Sequence, residues 1–209
     1  MTEMLPIVCI VDDDTSVRDA LRRLIRSVGL RAEVFGSAQE FLQWRRPDVP
    51  TCLILDVRMP GISGLDLQRQ LSDADIQLPI IFVTAHGDIP MSVRAMKMGA
   101  VEFLTKPFRD QELLDAIQFA VERDRVRYQR QAEVAVLRER FESLTPRERE
   151  VVEMVASGML NKQIAAHIGI TLNTVKVHRS RAMEKMQAQS LADLIKIVEK
   201  LQTPARKVS

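Results

Sequence analysis

The chain is poor in the residues that punctuate or staple small folds. Among 209 residues there are only 8 glycines, 9 prolines and two cysteines. With 46% hydrophobic and 28% charged residues beside them, such low counts exclude collagen-like, low-complexity and wholly disordered classes. Cys9 and Cys52 sit inside apolar runs without metal-ligand spacing, so they read as reduced core thiols; zinc fingers and disulfide scaffolds are excluded. No apolar run approaches the roughly 18–20 residues a membrane helix needs. Met1 to Pro6 has neither a basic region nor a cleavage site, so a cytoplasmic chain without membrane attachment is expected. The length exceeds one average domain and falls short of three.

The small net charge of +2 conceals an asymmetry. Residues 1–120 carry 13 Lys and Arg against 17 Asp and Glu, a net of −4; residues 121–209 carry 17 against 11, a net of +6. An acidic half joined to a basic half suggests that the second half meets a polyanion. Two solvated surfaces of opposite sign would give the same count.

The first half alternates short apolar runs with amphipathic stretches. Ile7–Val11, Cys52–Leu55 and Ile80–Val83 are continuous and rich in Ile, Val and Leu, as strands buried on both faces are. Ala32–Phe35 and Val101–Leu104 are weaker strand candidates. Val17, Ala20, Leu21, Leu24 and Val28 recur at helical spacing before Gly29. Ser37 with Glu40, and Ser63 with Asp66, form capping pairs for two further helices, and Ile89–Met98 is a fourth, ended by Gly99. Strand alternating with helix five times predicts a doubly wound parallel sheet, an α/β fold.

Five polar residues interrupt the pattern at the carboxyl ends of these strands, where open parallel sheets bind ligands. Asp12 and Asp13 follow strand one, Asp56 follows strand three, Thr84 strand four and Lys106 strand five. Three crowded carboxylates raise each other's pKa unless a cation joins them. An all-oxygen set suits Mg²⁺, with Mn²⁺ as a substitute; a transition metal would want more than the single nearby histidine, His86. A carboxylate beside Mg²⁺ can attack a phosphoryl group to give an acyl phosphate, with the Lys106 ammonium and the Thr84 hydroxyl binding phosphoryl oxygens. Asp14 reads as a helix cap, His86 as a loop residue beside the phosphate and Trp44 as packing.

Val11-Asp12-Asp13-Asp14, Leu55-Asp56-Val57-Arg58-Met59-Pro60-Gly61, Thr84-Ala85-His86-Gly87-Asp88 and Lys106-Pro107-Phe108 together resemble a response-regulator receiver domain of the CheY type over residues 6–121. The resemblance implies Asp56 as phosphoacceptor. It implies Asp12, Asp13, Asp56 and the backbone carbonyl of Arg58 around Mg²⁺, Thr84 and Lys106 as phosphate contacts, and a cis Lys106–Pro107 bond. It further implies a switch in which Thr84 moves toward the phosphoryl group while Phe103 turns inward behind it; the alternative is that Phe103 is permanent core. Met91, Met96 and Met98 then mark a dimer or kinase surface, or core.

From about Asp110 to Phe141 there is neither Pro nor Gly, which predicts a long charged helix whose segment 122–142 is a linker. Val121, Tyr128, Ala132, Ala135 and Leu137 offer a narrow seam for a partner helix, unless the linker is simply solvated. Thr145-Pro146-Arg147-Glu148 is a helix start with an N-cap, a first-position Pro and a third-position Glu. Four short helices follow: one ending at Gly158, one over about 161–168, one capped by Thr171 and one capped by Ser190 with Asp193. The middle two, joined through Gly169, have the helix-turn-helix pattern. Val175, His178, Ala182 and Met186 face inward on the third, leaving Lys176, Val177, Ser180 and Arg181 on other sectors, suited to a major groove.

Leu144-Thr145-Pro146-Arg147-Glu148-Arg149-Glu150, Asn161-Lys162-Gln163-Ile164-Ala165, Thr174-Val175-Lys176-Val177-His178, Lys185-Met186 and Ser190-Leu191 resemble a LuxR-type helix-turn-helix domain over residues 143–203. That match implies Lys176, Val177 and Ser180 as base readers, Arg179 and Arg181 as phosphate contacts or packing, and Asn161, Lys162, Thr171 and Thr174 as backbone-positioning groups. The last helix would supply a dimer contact. Together the motifs resemble the FixJ/NarL response regulators, and His86-Gly87-Asp88-Ile89-Pro90-Met91 the FixJ subfamily with its StyR-like regulators of aromatic catabolism.

The expected protein is a two-component transcription regulator. A partner histidine kinase phosphorylates Asp56, a homodimer forms, and it binds double-stranded promoter DNA, with RNA polymerase a further candidate partner. Two rivals stand beside it. One is an aspartyl-phosphate phosphatase, disfavoured because Arg58 replaces the second carboxylate two residues after Asp56. The other is a constitutive DNA-binding regulator with an idle receiver.

Overall fold

The computed structural model describes residues 5–85 and 87–202. His86, most of the Met1 to Pro6 segment and residue 203 of the expected second domain lie outside them. The chain forms two compact units that divide between Tyr128 and Gln129.

In the first unit β1 (Ile7–Val11), β2 (Arg31–Phe35), β3 (Thr51–Leu55), β4 (Ile80–Thr84) and β5 (Glu102–Thr105) make one parallel sheet in the order β2-β1-β3-β4-β5. The helices α1 (Thr15–Ser27), α2 (Ala38–Gln43), α3 (Gly64–Asp73), α4 (Ile89–Lys97) and α5 (Asp110–Glu142) alternate with them. Successive side chains of a strand point to opposite faces, so β1 feeds two cores. Ile7, Cys9 and Val11 pack with Phe35, Phe82 and Leu67 on one side, while Val8 and Ile10 pack with Leu21, Ile25 and Ile117 on the other. Every residue of β1, β3 and β4 is buried, which is why these three strands read as unbroken apolar runs. Cys9 and Cys52 are free and buried on opposite faces, and burial holds both thiols well above their usual pKa, Cys9 at about 12.

Local chemistry starts the helices where the sequence places them. The Asp14 carboxylate caps α1 by accepting from Ser16 N and Val17 N. Ser37, Ser63 and Asp88 cap α2, α3 and α4. Four strands differ from expectation by one residue: β2 and β3 begin at Arg31 and Thr51, one residue early, and β4 and β5 also shift. Thr84 is the last residue of β4 rather than the first beyond it, and β5 begins at Glu102. Val101 N donates to Ile80 O at 2.7 Å before the ladder starts, and exposed Glu102 gives this edge strand no apolar run.

The second unit packs α6 (Pro146–Ala156), α7 (Asn161–Ile168), α8 (Leu172–Lys185) and α9 (Leu191–Gln202) around Val151, Val152, Val155, Ile164, Val175, Ala182, Met186, Leu194 and Val198. Thr145 and Glu148 form the expected reciprocal cap. Gly169, at φ 69° in the left-handed region, ends α7 and turns the chain into α8, whose N-cap is Thr171. Of the seam proposed along α5, Val121 is buried and Tyr128 and Leu137 are half-buried, but Ala132 and Ala135 are exposed. No helix of the described residues is long and apolar enough to cross a membrane.

Candidate functional site

Strand register assembles the acidic rim. Val11 pairs with Leu55, so Asp12 and Asp56 leave the sheet side by side, tied by Asp56 N donating to Val11 O at 2.9 Å. Thr84 pairs with Thr105, which brings Lys106 beside them; Lys106 N donates to Thr84 O at 2.8 Å. The Lys106–Pro107 peptide bond is cis. Lys106 Nζ donates to Asp12 Oδ2 at 2.8 Å and lies 3.8 Å from Asp56 Oδ1. Asp12, Asp56 and Thr84 are buried, whereas Asp13 is exposed.

The two buried carboxylates differ in support. Asp12 Oδ1 accepts Asp14 N at 2.9 Å, and its other oxygen holds Lys106. Asp56 accepts one backbone N–H, from Arg58 at 2.9 Å. Burial first, and then the charge of Asp12, push the Asp56 carboxyl above its usual pKa, with the Lys106 ammonium and the Arg58 N–H opposing. A cation already bridges Asp12 and Asp56, and the donors facing it are oxygens. That donor set fits a hard divalent ion. Among the described residues no three His, Cys, Asp or Glu side chains converge to enclose a metal; of the three rim carboxylates expected around Mg²⁺, Asp12 and Asp56 are buried and Asp13 is exposed.

Two supporting residues escape the sequence reading. Arg18 Nη1 donates to Asp12 O at 2.7 Å and Nη2 to Thr15 Oγ1 at 2.8 Å, pinning the turn that carries Asp12 and Asp13. Its position one turn into α1 is the only sequence signal. Gly64 opens α3 against the backbone of Asp56, and any Cβ there would collide with the Asp56 carbonyl oxygen. Phe103, the expected switch aromatic, is half-buried with its ring centroid 5.9 Å from that of Phe82. Met91 is partly buried against the same core, whereas Ile89, Val93 and Met96 stand exposed along α4.

In the second unit Val175, Ala182 and Met186 anchor α8 inward and His178 is half-buried, while Lys176, Val177, Ser180 and Arg181 are exposed. Arg179 Nη1 donates to Asn161 Oδ1 at 3.2 Å, so these two residues tie α8 to α7. Thr171 Oγ1 accepts Thr174 N at 3.1 Å and shares a 2.8 Å hydroxyl contact with Thr174, which fixes the start of α8. Lys162 is exposed at the start of α7. The exposed sector of α8 carries two cations and small side chains, the form and charge of a helix that enters a DNA groove.

A doubly wound sheet with an acidic rim, joined to a helix-turn-helix, defines the class of DNA-binding response regulators. The response regulator receiver domain family matches residues 8–118, and the luxR family of bacterial regulatory proteins matches residues 142–198. The chain belongs to the two-component response regulators, in the FixJ-like branch that couples a receiver to a LuxR-type DNA-binding domain and regulates transcription. Nodulation protein W of Bradyrhizobium diazoefficiens is 58% identical over 195 residues, covering 93% of this chain and 86% of that protein. The solved structure of response regulator StyR matches with a TM-score of 0.82 and 51% identity, over 94% of this chain and 99% of that one. Full-length FixJ from B. japonicum matches with a TM-score of 0.54 and 37% identity, over 93% and 96%.

Proposed function

We propose that this regulator is switched by phosphorylation of Asp56. The N–P bond of a kinase phosphohistidine breaks as a P–O bond forms to an Asp56 carboxylate oxygen, and the released imidazole takes up a proton. The observation that carries this reading is the convergence of Asp12, Asp56 and Lys106 beyond the sheet, with Lys106 Nζ 2.8 Å from Asp12 and 3.8 Å from Asp56. Asp12, Asp13, Asp56 and the Arg58 carbonyl hold Mg²⁺, or Mn²⁺ in its place. When bound, the ion supplies charge neutralisation for the phosphoryl oxygens. Lys106 neutralises them from the other side, and the Thr84 hydroxyl donates to one as the β4–α4 connection moves.

The receiver spans 6–121, the linker helix 122–142 and the DNA-binding domain 143–203. Thr84 and Phe103 couple the new charge to the face formed by α4 and β5, where Ile89, Val93 and Met96 are exposed, and a second copy docks there. The paired domains then read adjacent half-sites of promoter DNA about one helical turn apart. Lys176, Val177 and Ser180 face bases; Arg181 and Lys162 face phosphates; Arg179, Asn161, Thr171 and Thr174 set the position of α8. Its partners are a histidine kinase, double-stranded DNA and, at the promoter, RNA polymerase, and the regulator acts in the cytoplasm.

The test is to incubate the full chain with acetyl phosphate and Mg²⁺, then measure adduct mass, dimerisation and promoter affinity. A single phosphoryl adduct, lost in Asp56→Asn, with dimer and affinity rising together, is expected. Unchanged promoter activation by Asp56→Asn would make the chain a constitutive regulator. Lys176→Ala should weaken binding and relax the sequence preference, whereas Lys162→Ala should weaken binding to all sequences alike and flatten the dependence of affinity on salt by about one counterion.

A further inference from the structure

Gly87 stands in the connection between β4 and α4. Its requirement is space. A Cβ at this position would lie 2.8 Å from Phe103 Cε1, 2.9 Å from Thr105 Cγ2 and 3.3 Å from Phe103 Cζ. Carbon atoms in favourable contact sit about 3.5–4.0 Å apart, so no other side chain fits while the Phe103 ring stays where it is. Thr105 is exposed and free to turn its methyl toward solvent. The ring has less freedom, because it rests between Gly87 on one side and buried Phe82 on the other, and packed interiors yield poorly to displacement.

We propose that Gly87 is the seat of the Phe103 ring in the state where Asp56 is a free carboxylate, so that ring and β4–α4 connection hold each other in that state. The proposal rests on the switch role assigned above to Thr84 and Phe103, and adds what the switch closes against. Thr84 begins the connection that carries Gly87. Movement of that connection toward a phosphoryl group withdraws the seat and frees the ring; conversely, a ring that has left removes one restraint on the connection. A methyl group at residue 87 evicts the ring without any phosphoryl group and shifts the population toward the arrangement that phosphorylation favours, since a modification biases two states only through differential interactions.

The experiment compares Gly87→Ala, Phe103→Ala and the double variant in the full chain, by analytical ultracentrifugation without a phosphoryl donor and, separately, by the affinity of the Mg²⁺-containing protein for beryllofluoride, a non-covalent phosphoryl mimic. Gly87→Ala is expected to strengthen unphosphorylated dimerisation at least about 5-fold and, because coupling between binding equilibria is reciprocal, to bind beryllofluoride more tightly. In the Phe103→Ala background the same substitution should change dimerisation less than about 2-fold, because the Thr105 methyl can turn away and contact with the ring carries the effect. Thermal unfolding covers the case of a poorly folded variant: a Tm loss in Gly87→Ala that Phe103→Ala restores supports the seat. An unchanged dimer constant in Gly87→Ala, an effect that persists without the ring, or a Tm loss the double variant does not restore overturns it. Wild-type protein that takes up phosphate yet stays monomeric would instead end the switch reading, a separate result.

Discussion

Two carboxylates buried in the first unit are treated in opposite ways. Asp124, at 0% exposure on α5, accepts from Arg46 Nη2 at 2.6 Å, Thr51 N at 2.8 Å and Arg127 Nε at 2.8 Å, with Arg127 Nη2 2.6 Å away as well. Asp56, at the opposite end of β3, has one backbone N–H and an ammonium at 3.8 Å, and faces the charge of Asp12. Asp124 is saturated and structural. Asp56 has fewer partners and a raised pKa, which is what the proposed role as phosphoacceptor asks of it. The second unit repeats the saturated pattern in Glu148, which accepts from Thr145 N at 2.9 Å and from Lys185 Nζ at 2.6 Å. What sets the proposed reactive carboxylate apart is the partners it lacks.

That contrast is sharpest in stability. Asp124→Ala leaves the half-buried guanidinium groups of Arg46 and Arg127 unpaired and the Thr51 N–H without an acceptor. Breaking a buried pair in this way costs about 3 kcal/mol, which chemical denaturation of the full chain would register as an earlier transition of the first unit. Glu148→Ala removes a helix cap and strands Lys185, a loss of about 2 kcal/mol confined to the second unit. Asp56→Asn should do the reverse of both, leaving Tm unchanged or slightly higher in Mg²⁺-free buffer while abolishing phosphorylation. A clear Tm drop in that variant would place Asp56 with the structural carboxylates and break the comparison.

How much of this was legible in the sequence depended on whether the signal was local. The strands β1, β3 and β4 declared themselves through runs buried on both faces, and the caps of α1, α3, α6 and α8 through residues within one turn of each other. The acidic rim was legible because parallel topology sends every strand end to the same edge. Asp124 was not, because its partners Arg46 and Thr51 are remote in sequence, and an Asp between arginines on a charged helix looks like any solvated position. Gly87 was hidden for the same reason, since the ring it admits belongs to another strand. The sequence could not separate a partner-helix seam along α5 from a solvated linker, because alanine fits a helix equally well whether covered or exposed.

The smallest effect separates the carboxylates by sign. Hydrogen bonding to Lys185, foremost, and to Thr145 pulls the Glu148 carboxyl below its usual pKa, against the effect of burial. A folded-state pKa below the unfolded one gives stability that is fully present above the unfolded value and is lost as pH falls through the folded value. The stability difference between wild type and Glu148→Gln should therefore hold steady from neutral pH down to about 4.3, the ordinary glutamate value, and shrink below it. Asp56 has the opposite shift, so its ionised form weakens the fold. Without Mg²⁺, any advantage of Asp56→Asn should be greatest at neutral pH and fade as acid protonates Asp56, first through its raised folded-state pKa and then through the ordinary value. Denaturant titrations at stepped pH read both differences in one series. Two curves that fade in the same direction, each as a loss to its variant, would mean that Asp56 is as well partnered as Glu148, and the distinction between reactive and structural carboxylates would fail.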